Sequence, residues 1–192
     1  MNNEKALEVV RPHLTETRYR HTIGVYETSS ALAKAYGADV QKAETAAILH
    51  DICKYHDITK MKQTVVRDLR EPHWAEYGVE LLHAPCGAYY VETELGIGDK
   101  DILMAIRSHT TGRAGMSLLE KVVFVADYIE PTRTFLGVDK ARELAKEDLD
   151  QACLFALEQT KDYLRKKGFP VHPQTEEAYQ YLVNQKGDVH AE

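Results

Sequence analysis

The dipeptide His50-Asp51 lies inside the apolar run Ala46-Ala47-Ile48-Leu49-His50-Asp51-Ile52, where two adjacent polar side chains are costly unless something binds them. His21 stands upstream and His83, His109 and Asp127 downstream, each in or beside an apolar segment with helical period. Together they offer four imidazoles and two carboxylates, enough ligands for one or two metal ions. Adjacent residues on a helix diverge by about 100°, so His50 and Asp51 can share an ion only over the helix edge, with Asp51 free to bridge to a second. This donor set suits iron, manganese, zinc or nickel and does not choose among them. Without thiolate partners, a structural zinc site is disfavoured.

Each residue also has a plainer reading. Singly, His21, His83 and His109 would be core-edge histidines. Asp127, after Val122-Val123-Phe124-Val125-Ala126, would be half of a buried salt bridge. The other histidines, His13, His56, His73, His172 and His190, lie mostly in polar context. What separates His50, Asp51, His83, His109 and Asp127 is position: all fall at edges of apolar helices, where a bundle interior can gather them. A ferritin-like centre needs two Glu-x-x-His motifs, and the chain has one, Glu80-x-x-His83.

Cations accompany these ligands. Arg18 and Arg20 precede His21, Lys54 follows His50-Asp51 by one turn, and Arg133 follows Asp127. Each alone reads as a solvated helix-face charge; all four beside ligands favour phosphoryl chemistry, with cations holding the oxygens. Thr110 and Thr111 read first as helix-stop residues and second as hydroxyl contacts to phosphate.

The elements that must position these groups are helices throughout, because apolar residues recur at three and four with little alternation. The pattern predicts a short helix over Glu4 to Arg11 and a long one over Glu16 to Tyr36 stopped by Gly37. Asp39 caps a third that carries His50-Asp51 near its end. A fourth covers Ile58 to Leu69, and His73 to Leu95 reads as two helices divided around Ala84-Pro85. Asp99 caps a helix ending near His109, and Ser117-x-x-Glu120 reads as the capping box of the helix carrying Asp127, halted at Pro131. Further helices are expected from about Lys140, from Leu149 to Lys167, and from Glu176 after the loop Gly168 to Pro173.

At 192 residues the chain is long enough for one sizeable core and reads as one domain, 1–192. Its expected core is 16–135, with C-terminal helices over 140–186 completing a substrate pocket. A net charge of −6 argues against nucleic-acid or anionic-membrane binding through a basic surface. The start, Met1-Asn2-Asn3-Glu4-Lys5, has no apolar signal region and no run is long enough to cross a bilayer, so a soluble, cytoplasmic protein is expected. Cys53, Cys86 and Cys153 lie far apart and read as small core residues. Exposed apolar helix faces would allow a homodimer.

The order His21, His50-Asp51, Asp127 resembles the H…HD…D signature of HD-domain metal-dependent phosphohydrolases. The surrounding residues narrow the likeness: Arg20-His21-Thr22, Ala46 to Lys54, Leu82-His83-Ala84-Pro85, Ser108-His109-Thr110-Thr111-Gly112, and Phe124-Val125-Ala126-Asp127-Tyr128-Ile129-Glu130-Pro131-x-Arg133. These are similar to bacterial symmetrical diadenosine tetraphosphate hydrolases of the YqeK type, from about Arg18 to about Tyr179. The resemblance implies an all-α HD-domain bundle with an iron-containing, binuclear centre, in which manganese or another divalent transition metal is an alternative. It implies cleavage of diadenosine tetraphosphate to two ADP by attack of a metal-bound water on an interior phosphate. His21, His50, Asp51 and Asp127 would hold one metal, and His83 and His109, with Asp51 bridging, the other. Asp51 and Lys54 would be catalytic, with Arg18, Arg20, Lys54, Thr110 and Arg133 on the polyphosphate beside His83 and His109. The loop Phe169, Pro170, Val171 and His172 to Gln174, with Thr175, would contact the nucleoside. Rival readings are an HD-type nucleotidase, a cyclic-nucleotide phosphodiesterase, a non-catalytic nucleotide sensor, or a metal-free scaffold of buried ion pairs.

Overall fold

A computed structural model describes residues 1–189; His190 and the two residues after it lie outside the described residues. Among the described residues the regular structure is helical, without a strand. Helix α1 spans Asn3–Val10, α2 Glu16–Tyr36 and α3 Val40–Leu49. Helix α4, Ile58–Gln63, runs on as a π-helical stretch, Thr64–Asp68. Then come α5 His83–Thr93, α6 Lys100–Ser108, α7 Leu118–Ile129, α8 Val138–Glu147, α9 Leu149–Lys166 and α10 Pro173–Val189.

Local chemistry sets most of these ends. Thr15 Oγ1 accepts from Arg18 N at 3.2 Å to open α2, and Gly37 closes it at φ 78°, a left-handed position that suits glycine. Asp39 and Asp99 accept from backbone N–H groups in the first turns of α3 and α6. Ser117 and Glu120 form a reciprocal capping box on α7, and Arg113 reaches Glu120 through two hydrogen bonds at 2.6 and 2.7 Å.

Between Glu71 and His83 the structure departs from the expected pair of helices. Two 3-10 turns, Pro72–Glu76 and Val79–Leu81, occupy the first part, separated by Gly78 at φ 110°. Helix α5 then starts at His83 and takes Pro85 into its first turn. A proline there loses no intrahelical bond, because first-turn N–H groups have no partner anyway. The last helix also begins earlier than expected, at Pro173.

Helices α2, α3, α6 and α7 pack on one another, with α5 against α6, α9 against α7, and α8 and α10 on α9. Ile48, Leu49, Ile52, Leu82 and Ile106 are among the largest wholly buried side chains and fill the space between these helices. Their burial removes about 1.5–3 kcal/mol worth of apolar surface each from water, an upper range that offsets the polar groups at the same depth. The three cysteines are free and buried. No helix among the described residues is long and apolar enough to cross a membrane.

Candidate metal centre

The centre is assembled at helix ends. His50 is the residue that terminates α3 and His109 the one that terminates α6, where the last carbonyls lack intrahelical partners. Each ring donates its Nδ1–H to the carbonyl three residues back: His50 to Ala47 O at 2.6 Å and His109 to Ile106 O at 2.6 Å. His83, at the start of α5, does the same to Glu80 O at 2.8 Å. His21, inside α2, donates Nδ1–H to Glu130 Oε1 at 2.9 Å, across 109 residues of chain. An acceptor on every Nδ1 assigns the proton there and leaves the Nε2 lone pairs pointing inward.

Those lone pairs converge on Asp51, which is wholly buried. Asp51 Oδ2 lies 2.9 Å from His50 Nε2 and 3.6 Å from His21 Nε2, while Oδ1 lies 3.1 Å from His83 Nε2 and 3.7 Å from His109 Nε2. Asp127 Oδ1 completes the first group, 3.0 Å from His21 Nε2 and 3.7 Å from His50 Nε2. One carboxylate thus faces a separate imidazole pair with each oxygen.

This arrangement is unfavourable for the protein alone and suits metal cations. His83 Nε2 and His109 Nε2 stand 3.0 Å apart with both Nδ1 protons already committed, which sets lone pair against lone pair. His21 Nε2, His50 Nε2 and Asp51 Oδ1 are buried without a hydrogen-bond partner, a costly state for polar atoms. His21, His50 and Asp127, and likewise His50, Asp51 and His109, bring ligand atoms within 4.8 Å of one another. The donor set, imidazole nitrogen with carboxylate oxygen, fits a divalent transition metal.

The electrostatics agree. Burial opposes charge on Asp51 and Asp127, yet both carboxyls are held well below the usual carboxylate range. For Asp51 the opposing groups are His50, His109 and His83; for Asp127 they are His21, His50 and Arg133. Burial also lowers His50, but Asp51 and Asp127 outweigh it and push the imidazole up, so its surroundings call for positive charge. His109 is pushed down to about 4 by burial, against the attraction of the nearby Asp51 carboxylate, and is neutral and ligand-ready at pH 7.

A cleft of about 260 Å³ opens over this centre, with His83, His109, Thr110 and Asp127 in its wall. Arg18, Lys54 and Arg133 line it as well. Arg18 Nε lies 2.5 Å from Asp51 Oδ2, and Lys54 Nζ is 3.3 Å from Glu80 Oε2 at the rim. Arg133 donates Nε to Asp127 O and Nη2 to Asp127 Oδ1, both at 3.0 Å, so it braces a ligand while facing the cleft.

Other expected contacts lie elsewhere. The Arg20 side chain is 74% exposed and pairs with Glu16 at 3.6 Å, because its position on α2 points away from the cleft. Phe169, Pro170, Val171, His172 and Thr175 do not line the cleft either. Phe169 and Pro170 are exposed and Val171 half-buried. His172 is buried and stacks on Trp74 with centroids 4.4 Å apart, its Nδ1 accepting from Gln174 N at 3.1 Å. Thr175 Oγ1 donates to Thr111 O at 3.0 Å, pinning the loop after His109.

One group escaped the sequence reading. Glu130 is wholly buried, accepts from His21 Nδ1 and from Thr132 N at 2.8 Å, and sits below its ordinary pKa because these hydrogen bonds outweigh burial. Its signal was a carboxylate at the end of an apolar helix, just before Pro131.

An HD-domain family model matches residues 18–132, which contain every residue of this cluster. The chain belongs to the HD-domain family. It is 56% identical over 187 residues to a Halalkalibacterium halodurans protein named symmetrical bis(5'-nucleosyl)-tetraphosphatase, covering 97% of this chain and 100% of that one. A Bacillus subtilis protein of the same name is 51% identical over 184 residues, covering 96% and 99%. Among solved structures, a Clostridium acetobutylicum protein described as a predicted HD superfamily hydrolase involved in NAD metabolism superposes with a TM-score of 0.88. That match has 37% identity and covers 96% of this chain and 98% of the other. Membership of this chain in the HD-domain family implies a metal-dependent hydrolase that uses a divalent metal, and the buried His/Asp groups could hold such an ion.

Proposed function

We propose that this chain hydrolyses diadenosine tetraphosphate symmetrically to two ADP at a binuclear, iron-containing centre. In this reading His21, His50, Asp51 and Asp127 would hold one ion, and His83 and His109 would hold the second, with Asp51 shared between them. The observation that carries it is the division of Asp51, with one oxygen toward His21 and His50 and the other toward His83 and His109. The names of the Halalkalibacterium and Bacillus relatives supply the substrate.

Two bound ions would lower the pKa of a water and polarise the phosphoryl group it attacks. The chain's own groups do the rest. Hydrolysis at the centre of the tetraphosphate forms one P–O bond to the water oxygen and breaks one bridging P–O bond, so each half leaves as ADP. Arg18, Lys54 and Arg133 line the cleft where they can hold the phosphoryl oxygens and offset charge on the departing diphosphate. Thr110 Oγ1, buried without a partner, offers a hydroxyl to the same oxygens. A phosphate leaving group needs no strong general acid, which accords with a cleft of cations and imidazoles. Thr160 of α9 reaches the cleft wall, which supports reading the HD core and the C-terminal helices as one working unit.

Incubation with diadenosine tetraphosphate under iron, manganese or zinc tests the proposal. Two ADP per dinucleotide are expected, with iron the most effective metal. ATP plus AMP, or inorganic phosphate from mononucleotides alone, would overturn it.

A further inference from the structure

We propose that Lys161 is a positioning residue for the phosphate contact at Thr110, acting through the first turn of α10; the proposal rests on the nucleoside-polyphosphate reading above. Lys161 is 6% exposed, and an ammonium at that depth is costly unless paired. Its Nζ lies 2.7 Å from Glu176 Oε2 and 3.8 Å from the centroid of the Tyr179 ring, both on α10. Arg165, one turn further along α9, holds the other oxygen, Glu176 Oε1, at 2.9 Å. An apolar side chain would serve if the two helices needed packing alone. A buried charge whose partner is on the facing helix also fixes register, because sliding α10 along α9 would strand it.

That register reaches the cleft through three buried side chains. Thr175, the residue before Glu176, donates its Oγ1–H to Thr111 O at 3.0 Å. Thr111 Oγ1 lies 2.8 Å from Gly112 O and 3.3 Å from Gln174 Oε1 at the start of α10. Gly112 turns the chain at φ 64°, and a Cβ there would stand 3.3 Å from Ala178 Cβ on α10 and 3.5 Å from Leu157 Cδ2 on α9. The turn after His109 is therefore seated against both helices. Its first residue, Thr110, lines the cleft and carries a buried hydroxyl without a partner. Successive residues on a helix diverge by about 100°, so Thr160 meets the cleft while Lys161 meets α10 and does not itself line the cleft.

The test joins steady-state kinetics to amide hydrogen exchange on the metal-loaded enzyme, comparing wild type, Lys161→Met, Lys161→Arg, Glu176→Gln and Thr110→Val, and Lys161→Met combined with Thr110→Val. The Gly112 N–H, which donates to Ser108 O at 2.8 Å, is the reporter of the turn. Its exchange should quicken roughly tenfold in Lys161→Met with metal content unchanged. The kcat/KM for the dinucleotide should fall roughly tenfold in Lys161→Met, and less in Lys161→Arg, which keeps the charge over the ring. In the Thr110→Val background, Lys161→Met should cost little more, because the hydroxyl it positions is gone. The Glu176 side chain is 44% exposed, so Glu176→Gln carries the same expectations if Lys161→Met does not fold. Equal losses with and without Thr110, unchanged exchange at the turn, or loss of a metal ion overturns the proposal. If exchange quickens as expected but wild type yields no ADP from the dinucleotide, the functional reading fails while the link from Lys161 to the turn stands.

Discussion

Gly24 and Glu130 touch across the α2–α7 interface so closely that no side chain fits on the glycine. A Cβ on Gly24 would run into Glu130 Oε2 and stand 3.2 Å from Glu130 Cδ. The same carboxylate accepts the Nδ1–H of His21 and so orients the Nε2 that faces Asp127. Gly24→Ala should therefore displace Glu130 and tilt His21, although neither position is a ligand. We expect metal affinity and activity to fall about 10- to 100-fold, as for other outer-shell partners of ligating histidines. Overpacking should add a destabilisation of about 1–3 kcal/mol. Metal titration and denaturant unfolding measure the two effects separately.

Metal stoichiometry distinguishes the roles of the histidines. Replacing His83 and His109 together by Ala should reduce bound metal from two ions to one, because His21, His50 and Asp127 keep one group intact. Asp51→Ala removes the carboxylate that both groups share and should lose one or both ions together with turnover. Elemental analysis of purified variants checks this; two ions retained in the double variant would contradict the assignment.

Arg133 binds both the backbone carbonyl and the carboxylate of Asp127. A lysine has no fork to reproduce that pair of bonds, so Arg133→Lys should be far from conservative. A loss of about tenfold or more in kcat/KM is expected, accompanied by weaker metal retention. Steady-state kinetics at saturating metal isolates the phosphate contribution from the bracing of Asp127.

The His172–Trp74 stack predicts a pH response independent of the metal ligands. His172 is pushed down to about 4, chiefly by burial, with His73 and Arg107 adding positive charge nearby. The folded value lies below the ordinary 6.5, so the unfolded chain binds the proton first. The stability linked to His172 is complete above about pH 6.5 and is lost as pH falls from there toward 4, to a ceiling of about 3 kcal/mol. His172→Asn keeps an acceptor for the Gln174 N–H but cannot titrate, so its stability should fall less over that range. Trp74 is the only tryptophan, which makes its emission a local reporter of the stack in the same titration.

Much of this molecule could be read before any tertiary contact was known. Helix ends at Thr15, Gly37, Asp39, Asp99 and Ser117 depend on hydrogen bonds within a few residues, and the structure has them where the side-chain types require. His50 and His109 were legible for a related reason: a histidine closing an apolar helix satisfies a carbonyl three residues back and turns its other nitrogen toward the core. The stretch 71–83 was misread because a proline marks a boundary without saying on which side the helix lies. Here α5 begins just before Pro85, and 3-10 turns fill the remainder.

Local chemistry thus settled the helices, their caps and the inventory of ligands, since each depends on side chains at most a turn or two apart. Packing across long stretches of chain decided the rest. It assigned the two oxygens of Asp51 to different histidines, brought Glu130 across 109 residues to His21, and turned Arg20 outward. It also drew His172 into a buried stack on Trp74. Those outcomes depend on which helix faces meet, and the spacing of residues within one helix does not contain that information.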